Sequence, residues 1–317
     1  MARIETSRRW KSFPALWLAL GLAVLAGLWL RERAVTGASG AGGDQVVRVV
    51  FIPADGGTAS GTLADFRPLF AALTESTGMR FDLNVTQSYS AAVEALCNGS
   101  ADVAFVGPGT YLQAHRRQCA DLLATGIRKG RAQYYSGIFV RKDAPYRTLA
   151  DLRGSRMAFG DINSTSSFVM PVAMLLEAGV DPSRDLAAVR LTGSHSNSLA
   201  ALVGGQVDAA ALSFDSFDRA LQAGLPGIEG VRVLARSQAM PYPPFVASKK
   251  LDATRRDRLR KGFSELERRV RRVPGYAGQQ LDSYSAAVDQ RAFDDLSGKV
   301  APVTRERVVQ ILRRAGR

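Results

Sequence analysis

Short apolar runs that alternate with helix-length amphipathic segments constrain the fold of this chain more than any other feature. The runs are rich in β-branched residues and predict strands at 46–53, 79–85, 102–106, 156–159, 188–191 and 208–212. Helical patterns lie between the first of these strands, at 63–77, 89–98 and 111–118. This alternation predicts an α/β fold with parallel or mixed sheets covered by helices on both faces.

Two longer extended stretches, 132–142 and 231–247, separate the strand–helix blocks. The second stretch contains Pro241, Pro243 and Pro244, which we expect to keep it out of the centre of a sheet. At 317 residues the chain is long enough for two lobes. We therefore interpret both stretches as crossings between lobe 1, formed by 44–138 with 240–317, and lobe 2, formed by 139–239.

An internal repeat supports the two lobes. Residues 88–105 and 194–211 align without a gap and are identical at seven of eighteen positions. Each segment predicts a helix capped by serine, a glycine at the helix end and a strand that starts after aspartate. The alignment places Tyr89 on His195, so these residues are expected at equivalent helix starts on the two sides of a binding cleft.

The sequence of the amino terminus predicts that the protein is exported from the cytoplasm. Residues 13–30 are eighteen consecutive residues without a charge, and four basic residues precede them, Arg3, Arg8, Arg9 and Lys11. An apolar helix of this length suits either an uncleaved anchor in the cytoplasmic membrane or a long signal peptide. Residues 34–43 are small and uncharged, as in a flexible tether. Residues 1–43 thus form an export segment, and the folded part is expected outside the cytoplasm, in the periplasm.

The formal net charge of +13 is unevenly distributed. Residues 1–43 contribute +4 and residues 251–317 contribute +7, which leaves +2 for the predicted lobes. The arginines at 255–272 and 305–317 are expected on solvated helix faces. Because the chain is exported, nucleic acid is not an expected partner.

The chain contains two cysteines, Cys97 and Cys119, and two histidines, His115 and His195. In an oxidising compartment the cysteines form either a disulfide or a pair of buried thiols, and the sequence leaves both open. So few cysteines and histidines exclude a Cys/His zinc site of ordinary spacing. No metal or other cofactor is expected.

A cluster of hydroxyl residues occupies 159–171, which reads FGDINSTSSFVMP. Pro171 is tolerated only in the first turn of a helix, so we expect that helix to start near Ser166 or Ser167. Asn163, Ser164 and Thr165 would then lie beside unpaired backbone N–H groups, where an anion can bind. An ordinary cap is the alternative interpretation of the same residues.

Three further residues are candidates for the same site. His195 starts a helix, Tyr135 lies on the first crossing, and Asp215 follows the carboxyl end of a strand, where open sheets bind ligands. A hydrolase in which His195 activates a serine and Asp215 orients the histidine is a rival hypothesis. The chain contains no G-x-S-x-G nucleophile motif, so we do not expect an enzyme.

With these residues identified, the chain resembles the periplasmic phosphonate- and phosphite-binding proteins of ABC transporters over about residues 46–252. The resemblance rests on the F-G-D-x-N-S-T-S-S turn, the G-S-H before a helix and the G-x-x-D-x-A strand starts. It implies the type II periplasmic-binding-protein fold, with two α/β lobes, two crossings and, here, an additional amino-terminal apolar helix.

The resemblance also implies a ligand site. The residues that match those holding the phosphonate oxygens are Tyr89, Tyr135, Ser164, Thr165, Ser166 and His195. Asp215 matches a carboxylate that faces the ammonium of aminoalkylphosphonates, whereas no acid stands near Pro243, where a second carboxylate is expected. Phosphite, phosphate or a small alkylphosphonate is therefore at least as good a ligand. The implied function is capture of a phosphorus oxyanion for an ABC-transporter permease, and the alternative is a membrane-tethered sensor of the same anion.

Overall fold

The computed structural model describes residues 46–53, 58–270 and 273–316. The predicted apolar helix at 13–30 and the tether at 34–43 lie outside these ranges. Among the residues described, no helix combines the length and the apolar character that a membrane crossing requires.

The strands match the predicted alternation closely. In chain order they are β1 Val47–Phe51, β2 Phe81–Val85, β3 Val103–Phe105, β4 Ala120–Ile127, β5 Gln133–Tyr134, β6 Ser136–Arg141, β7 Arg156–Phe159, β8 Ala188–Leu191, β9 Ala209–Ser213, β10 Val231–Arg236, β11 Met240–Pro241, β12 Pro244–Ser248, β13 Val273–Pro274, β14 Gln280–Leu281 and β15 Ser283–Ser285. The α-helices are α1 Ala59–Thr77, α2 Tyr89–Asn98, α3 Pro108–Arg116, α4 Met170–Glu177, α5 His195–Val203, α6 Phe214–Gln222, α7 Ala253–Glu265, α8 Gln290–Lys299 and α9 Arg305–Ala315.

The structure contains two large mixed sheets, one in each predicted lobe. The sheet of lobe 1 has the order β15-β4-β12-β3-β1-β2, and β1 is parallel to both β2 and β3. The sheet of lobe 2 has the order β10-β6-β9-β7-β8, and β7 is parallel to both β8 and β9. The predicted crossings meet each other, since β5 and β11 pair antiparallel.

The expectation that prolines keep the second crossing out of a sheet centre is wrong for β12. This strand lies between β3 and β4 and pairs antiparallel with both. Pro244 is its first residue, where a missing N–H disturbs the ladder least, and its carbonyl accepts a hydrogen bond from Val106 N–H at 3.1 Å. All five residues of β12 are buried, which accounts for the central position.

The internal repeat is confirmed by matching contacts in the two lobes. In lobe 1 the backbone N–H of Arg48 donates to Asp102 Oδ2 at 2.9 Å, and the Arg48 guanidinium binds both carboxylate oxygens. In lobe 2 Arg156 binds Asp208 in the same way, with its backbone N–H also at 2.9 Å from Oδ2. In each lobe this pair connects the first parallel strand to the strand that follows the repeated helix.

A second matched contact fixes the start of the repeated helix. Thr86 Oγ1 lies within hydrogen-bond distance of the carbonyls of Phe51 and Ser88, and Thr192 Oγ1 lies within the same reach of the carbonyls of Phe159 and Ser194. Ser88 and Ser194 then cap α2 and α5, as the sequence predicts. Tyr89 and His195 are therefore structurally equivalent residues.

Helix α9 departs from the expected assignment of 240–317 to lobe 1. Ile311 is fully buried in the core of lobe 2, together with Val172 and Leu186. The Arg314 guanidinium donates to the carbonyl of Leu186 at 2.7 Å, and Arg307 pairs with Asp181. Two arginines of the basic carboxyl-terminal region thus attach this helix to lobe 2.

The two cysteines form a disulfide in the structure. It joins Cys97, near the end of α2, to Cys119, just before β4, across 22 residues. The alternative that the sequence left open, a pair of buried thiols, is therefore not what the structure shows.

We predict that opening this disulfide destabilises lobe 1. Loss of the cross-link restores conformational entropy to the unfolded chain, and for a loop of this size the free energy of unfolding falls by about 3 kcal/mol. Urea unfolding of the oxidised protein and of the Cys97→Ser/Cys119→Ser variant measures the difference. Identical unfolding midpoints would contradict the prediction.

Candidate functional site

Helix starts cluster where strands end in both lobes. In lobe 1, β2 leads into α2 and β3 leads into α3, and in lobe 2, β8 leads into α5 and β9 leads into α6. Because the parallel strands of each sheet end at one edge, the positive ends of these helices point out of that edge. The arrangement offers backbone N–H groups and capping hydroxyls to an anion.

Residues 161–167, which we call the hydroxyl turn, form a helix start of unusual geometry. Ser164 is the cap, and its Oγ accepts a hydrogen bond from Ser167 N–H at 3.2 Å. Residues Thr165–Val169 form a π-helical turn, and only then does α4 begin, with Pro171 in its first turn. Helical structure thus starts at Thr165, one residue before the expected Ser166, but as a π-turn, and proline occupies the first turn of α4 as expected.

The π-turn redirects two carbonyl groups. Met170 N–H donates to the carbonyl of Thr165, five residues back, and Pro171 has no N–H to donate. The carbonyl of Ser166 instead accepts from Ser136 Oγ at 2.6 Å, and that of Ser167 accepts from Gly160 N–H at 3.1 Å. These bonds fix the hydroxyl turn to β6 and to the end of β7. Ser164, Thr165 and Ser166 are all buried as a result.

The hydroxyl turn of lobe 2 contacts the start of α3 in lobe 1. Gly109 N–H donates to Thr165 Oγ1 at 2.7 Å, so the Thr165 hydroxyl keeps its own hydrogen for another acceptor. A Cβ at Gly109 would lie 3.1 Å from that oxygen, which explains why glycine fits there. Thr110 Oγ1 donates to the carbonyl of Asn163 at 3.2 Å. The sequence analysis missed this lobe 1 segment, and the Gly-Pro-Gly at 107–109 is the signal that could have revealed it.

Tyr89 also takes part in the contact between the lobes. Its backbone N–H, at the start of α2, donates to the Asp161 carboxylate of the hydroxyl turn. Burial raises the pKa of the Asp161 carboxyl above its ordinary value, and hydrogen bonds from the Asn163 and Tyr89 N–H groups oppose that rise. The Tyr89 side chain is buried.

His195 is held as a neutral donor. Ser213 N–H donates to His195 Nδ1 at 3.0 Å, and because an amide N–H is always a donor, Nδ1 bears no hydrogen. The ring hydrogen therefore lies on Nε2, which is 3.1 Å from the Tyr276 hydroxyl. The His195 ring is only 1% exposed. No sequence pattern indicated Tyr276, which reaches His195 from a 3₁₀ turn 81 residues away.

The last two predicted site residues line a separate cavity of about 520 Å³. The Arg128 guanidinium lies over this space and contacts Asp215 Oδ1 at 2.5 Å. The Arg236 guanidinium covers the Tyr135 ring, with its Cζ 3.7 Å from the ring centroid. The structure thus connects Tyr89 and the hydroxyl turn directly, whereas Tyr135 and Asp215 line this cavity.

The chain also matches a known family. The family described as the periplasmic substrate-binding protein of phosphonate ABC transporters matches residues 57–292, most of the chain. This chain belongs to the phosphonate-binding protein family. Family membership agrees with the resemblance carried by the hydroxyl turn and by the helix start at His195.

Two curated relatives of this phosphonate-binding family member show what the family includes. The phosphate-import protein PhnD of Mycolicibacterium smegmatis is 30% identical over 182 residues, which cover 54% of this chain and 56% of the relative. The phosphonates-binding periplasmic protein of Escherichia coli is 25% identical over 197 residues, which cover 61% of this chain and 58% of the relative. The chain thus spans little more than half the length of these relatives.

A solved structure supports the fold of this family member. PhnD1 from Prochlorococcus marinus, in complex with methylphosphonate, superposes with a TM-score of 0.69 at 19% identity. The superposition covers 82% of this chain and 98% of PhnD1. At that identity the likeness shows the periplasmic-binding-protein fold. Within the ranges that the structure describes, no group of three or more His, Cys, Asp or Glu residues is arranged to hold a metal ion.

We predict that Tyr276→Phe weakens the support of His195. The variant removes a buried hydroxyl that contacts Nε2, which lowers the free energy of unfolding by about 1 kcal/mol. The matched control is Tyr284→Phe, because Tyr284 is an equally buried tyrosine whose hydroxyl donates to the carbonyl of Pro274 at 2.8 Å.

Both variants are expected to lose stability in urea unfolding, but only Tyr276→Phe is expected to lower the affinity for methylphosphonate in calorimetry. An unchanged affinity would show that the Tyr276 hydroxyl does not support the site.

Proposed function

We propose that this protein captures a small phosphorus oxyanion where its two lobes meet and delivers it to the permease of an ABC transporter. The observation that carries the proposal is the contact between the hydroxyl turn and α3, because it brings helix starts and hydroxyls of both lobes to one place. A binding protein needs donors on both lobes, since a ligand favours the closed state only through contacts that the open state lacks.

The chemistry of the donors suits a tetrahedral oxyanion. Ser164, Thr165 and Ser166 offer hydroxyls at a helix start, and His195 carries a neutral N–H on Nε2, which the ligand would take over from the Tyr276 hydroxyl. Such hydrogen bonds to a charged acceptor are short and about twice as strong as those between neutral groups. The family includes a phosphate importer and a phosphonate binder, which share the phosphorus–oxygen group that this donor set would recognise.

The place of action is part of the proposal. A periplasmic location fits the family and the disulfide between Cys97 and Cys119. Export through residues 13–30 rests on the sequence alone. The same segment either is cleaved as a signal peptide or stays as an anchor in the cytoplasmic membrane. The alternative role as a tethered sensor rests on the same segment, and no contact among the described residues favours it.

We expect His195→Ala to weaken oxyanion binding by at least about tenfold, because one charge-assisted hydrogen bond is lost. The double variant Ser164→Ala/Thr165→Ala is expected to abolish binding, since it removes two hydroxyls of the same helix start. Isothermal titration calorimetry with methylphosphonate, phosphite and phosphate measures both effects. The control is His115→Ala, because His115 lies on α3 and its Nδ1 contacts the carbonyl of Ala120.

The outcome that would overturn the proposed function is equally specific. Wild-type affinity in both site variants would remove these residues from the binding site. A thermal-shift response to sulfate or amino acids, without a response to any phosphorus oxyanion, would exclude the proposed class of ligand.

A further inference from the structure

The cavity beside Tyr135 and Asp215 is strongly basic. Four cationic side chains line it, together with two carboxylates: Arg128, Lys129, Arg131 and Arg236, with Asp215 and Asp218. We call this space the basic cavity. It has a volume of about 520 Å³, large enough for a substituent of a small ligand.

One of the two carboxylates is already neutralised by a cation of the cavity. Asp215 is 4% exposed and Arg128 is 28% exposed, and their closest atoms lie 2.5 Å apart. A buried ion pair of this kind compensates the carboxylate locally. An ammonium group that approaches Asp215 would therefore also meet the Arg128 guanidinium. The other charged side chains of the lining, Lys129, Arg131, Arg236 and Asp218, carry a net positive charge.

Arg236 is oriented by aromatic side chains. Its Cζ atom lies 3.7 Å from the centroid of the Tyr135 ring and 5.0 Å from that of the Phe214 ring. Contact with aromatic rings uses the face of a guanidinium, whereas its N–H donors lie around the edge. The planar set of donors at that edge matches the geometry of a carboxylate or a phosphoryl group.

The basic cavity lies close to His195. Tyr134 lines the cavity, and its ring packs edge-on against Tyr276 with 6.0 Å between the centroids. The Tyr276 hydroxyl is in turn 3.1 Å from His195 Nε2. On the same side, Gln279 Nε2 donates to the carbonyl of Asp215 at 3.2 Å. The lining residues Tyr135 and Phe214 are also direct chain neighbours of Ser136, which binds the carbonyl of Ser166, and of Ser213, which binds His195. The lining of the cavity thus adjoins the donors that we assign to the phosphorus group.

We propose that the basic cavity receives a second anionic group of the ligand. The preferred ligands are then phosphonates or phosphates that carry a carboxylate or a second phosphoryl group, and aminoalkylphosphonates are disfavoured. This inference rests on the proposed function, because it assumes that the hydroxyl turn and His195 hold the phosphorus end.

Calorimetry with four ligands tests the inference on the wild-type protein. Methylphosphonate carries no second charge, 2-aminoethylphosphonate carries an ammonium, phosphonoacetate carries a carboxylate, and methylenediphosphonate carries a second phosphoryl group. We expect at least one of the two doubly anionic ligands to bind about tenfold more tightly than methylphosphonate, and 2-aminoethylphosphonate to bind more weakly. The advantage is expected to shrink in high salt, since Arg236 and Lys129 are exposed.

Three variants locate the effect in the basic cavity. Arg236→Gln and Arg131→Gln, both at exposed positions, are expected to remove most of the advantage that the doubly anionic ligand has over methylphosphonate in the same variant. The control is Arg291→Gln, because that side chain is 90% exposed on α8. Arg128→Gln leaves Asp215 without this cation and is expected to raise the affinity for 2-aminoethylphosphonate relative to methylphosphonate. Thermal unfolding checks that each variant is folded.

The possible failures are distinguishable. If methylphosphonate binds as tightly as both doubly anionic ligands, or if the advantage survives Arg236→Gln and Arg131→Gln, the basic cavity has no such role and the proposed function stands. If none of the four ligands binds the wild-type protein, the proposed function itself is wrong.

Discussion

Pro171 has no backbone N–H, so an α-helix cannot continue unbroken from the hydroxyl turn through this residue, and the candidate site depends on this constraint. The turn before it widens into a π-turn, and the carbonyls of Ser166 and Ser167 bind Ser136 and Gly160 instead. The hydroxyl turn is thereby fixed to the strands of lobe 2 and presented to lobe 1. Gly109 completes the contact because it lacks a side chain where Thr165 approaches.

Neutral hydrogen-bond donors and charged side chains occupy different parts of the candidate site. Neutral donors, namely hydroxyls, backbone N–H groups and an uncharged His195, surround the place that we assign to the phosphorus group. Full positive charges line the basic cavity. Neutral donors satisfy an oxyanion without a buried counter-ion, which is costly to desolvate. The cations are more exposed, so they can contribute selectivity at a smaller desolvation cost.

The two lobes share one structural plan and differ where function requires it. Matching Arg–Asp pairs and matching threonines fix α2 and α5 in the same way, which makes Tyr89 and His195 equivalent. Tyr89 offers its backbone N–H to Asp161, whereas His195 offers a ring N–H toward Tyr276. The start of α2 is thus used for a contact between the lobes. In our proposal, the equivalent start of α5 is used for ligand binding.

Much of this could be predicted from the sequence, because strand alternation, serine caps and glycine stops are local properties of the chain. They predicted the parallel strands, the equivalence of Tyr89 and His195, and the cluster of hydroxyls at 164–166. A cluster of hydroxyls before a helix can be recognised from the sequence without knowledge of the fold. Burial and partners over long separations are not local. Only the tertiary structure placed Pro244 in a sheet centre, joined Cys97 to Cys119, paired Asp215 with Arg128 and brought Tyr276 to His195. Each of these contacts joins residues far apart in the chain, so it is decided by how the sheets and helices pack rather than by any local pattern.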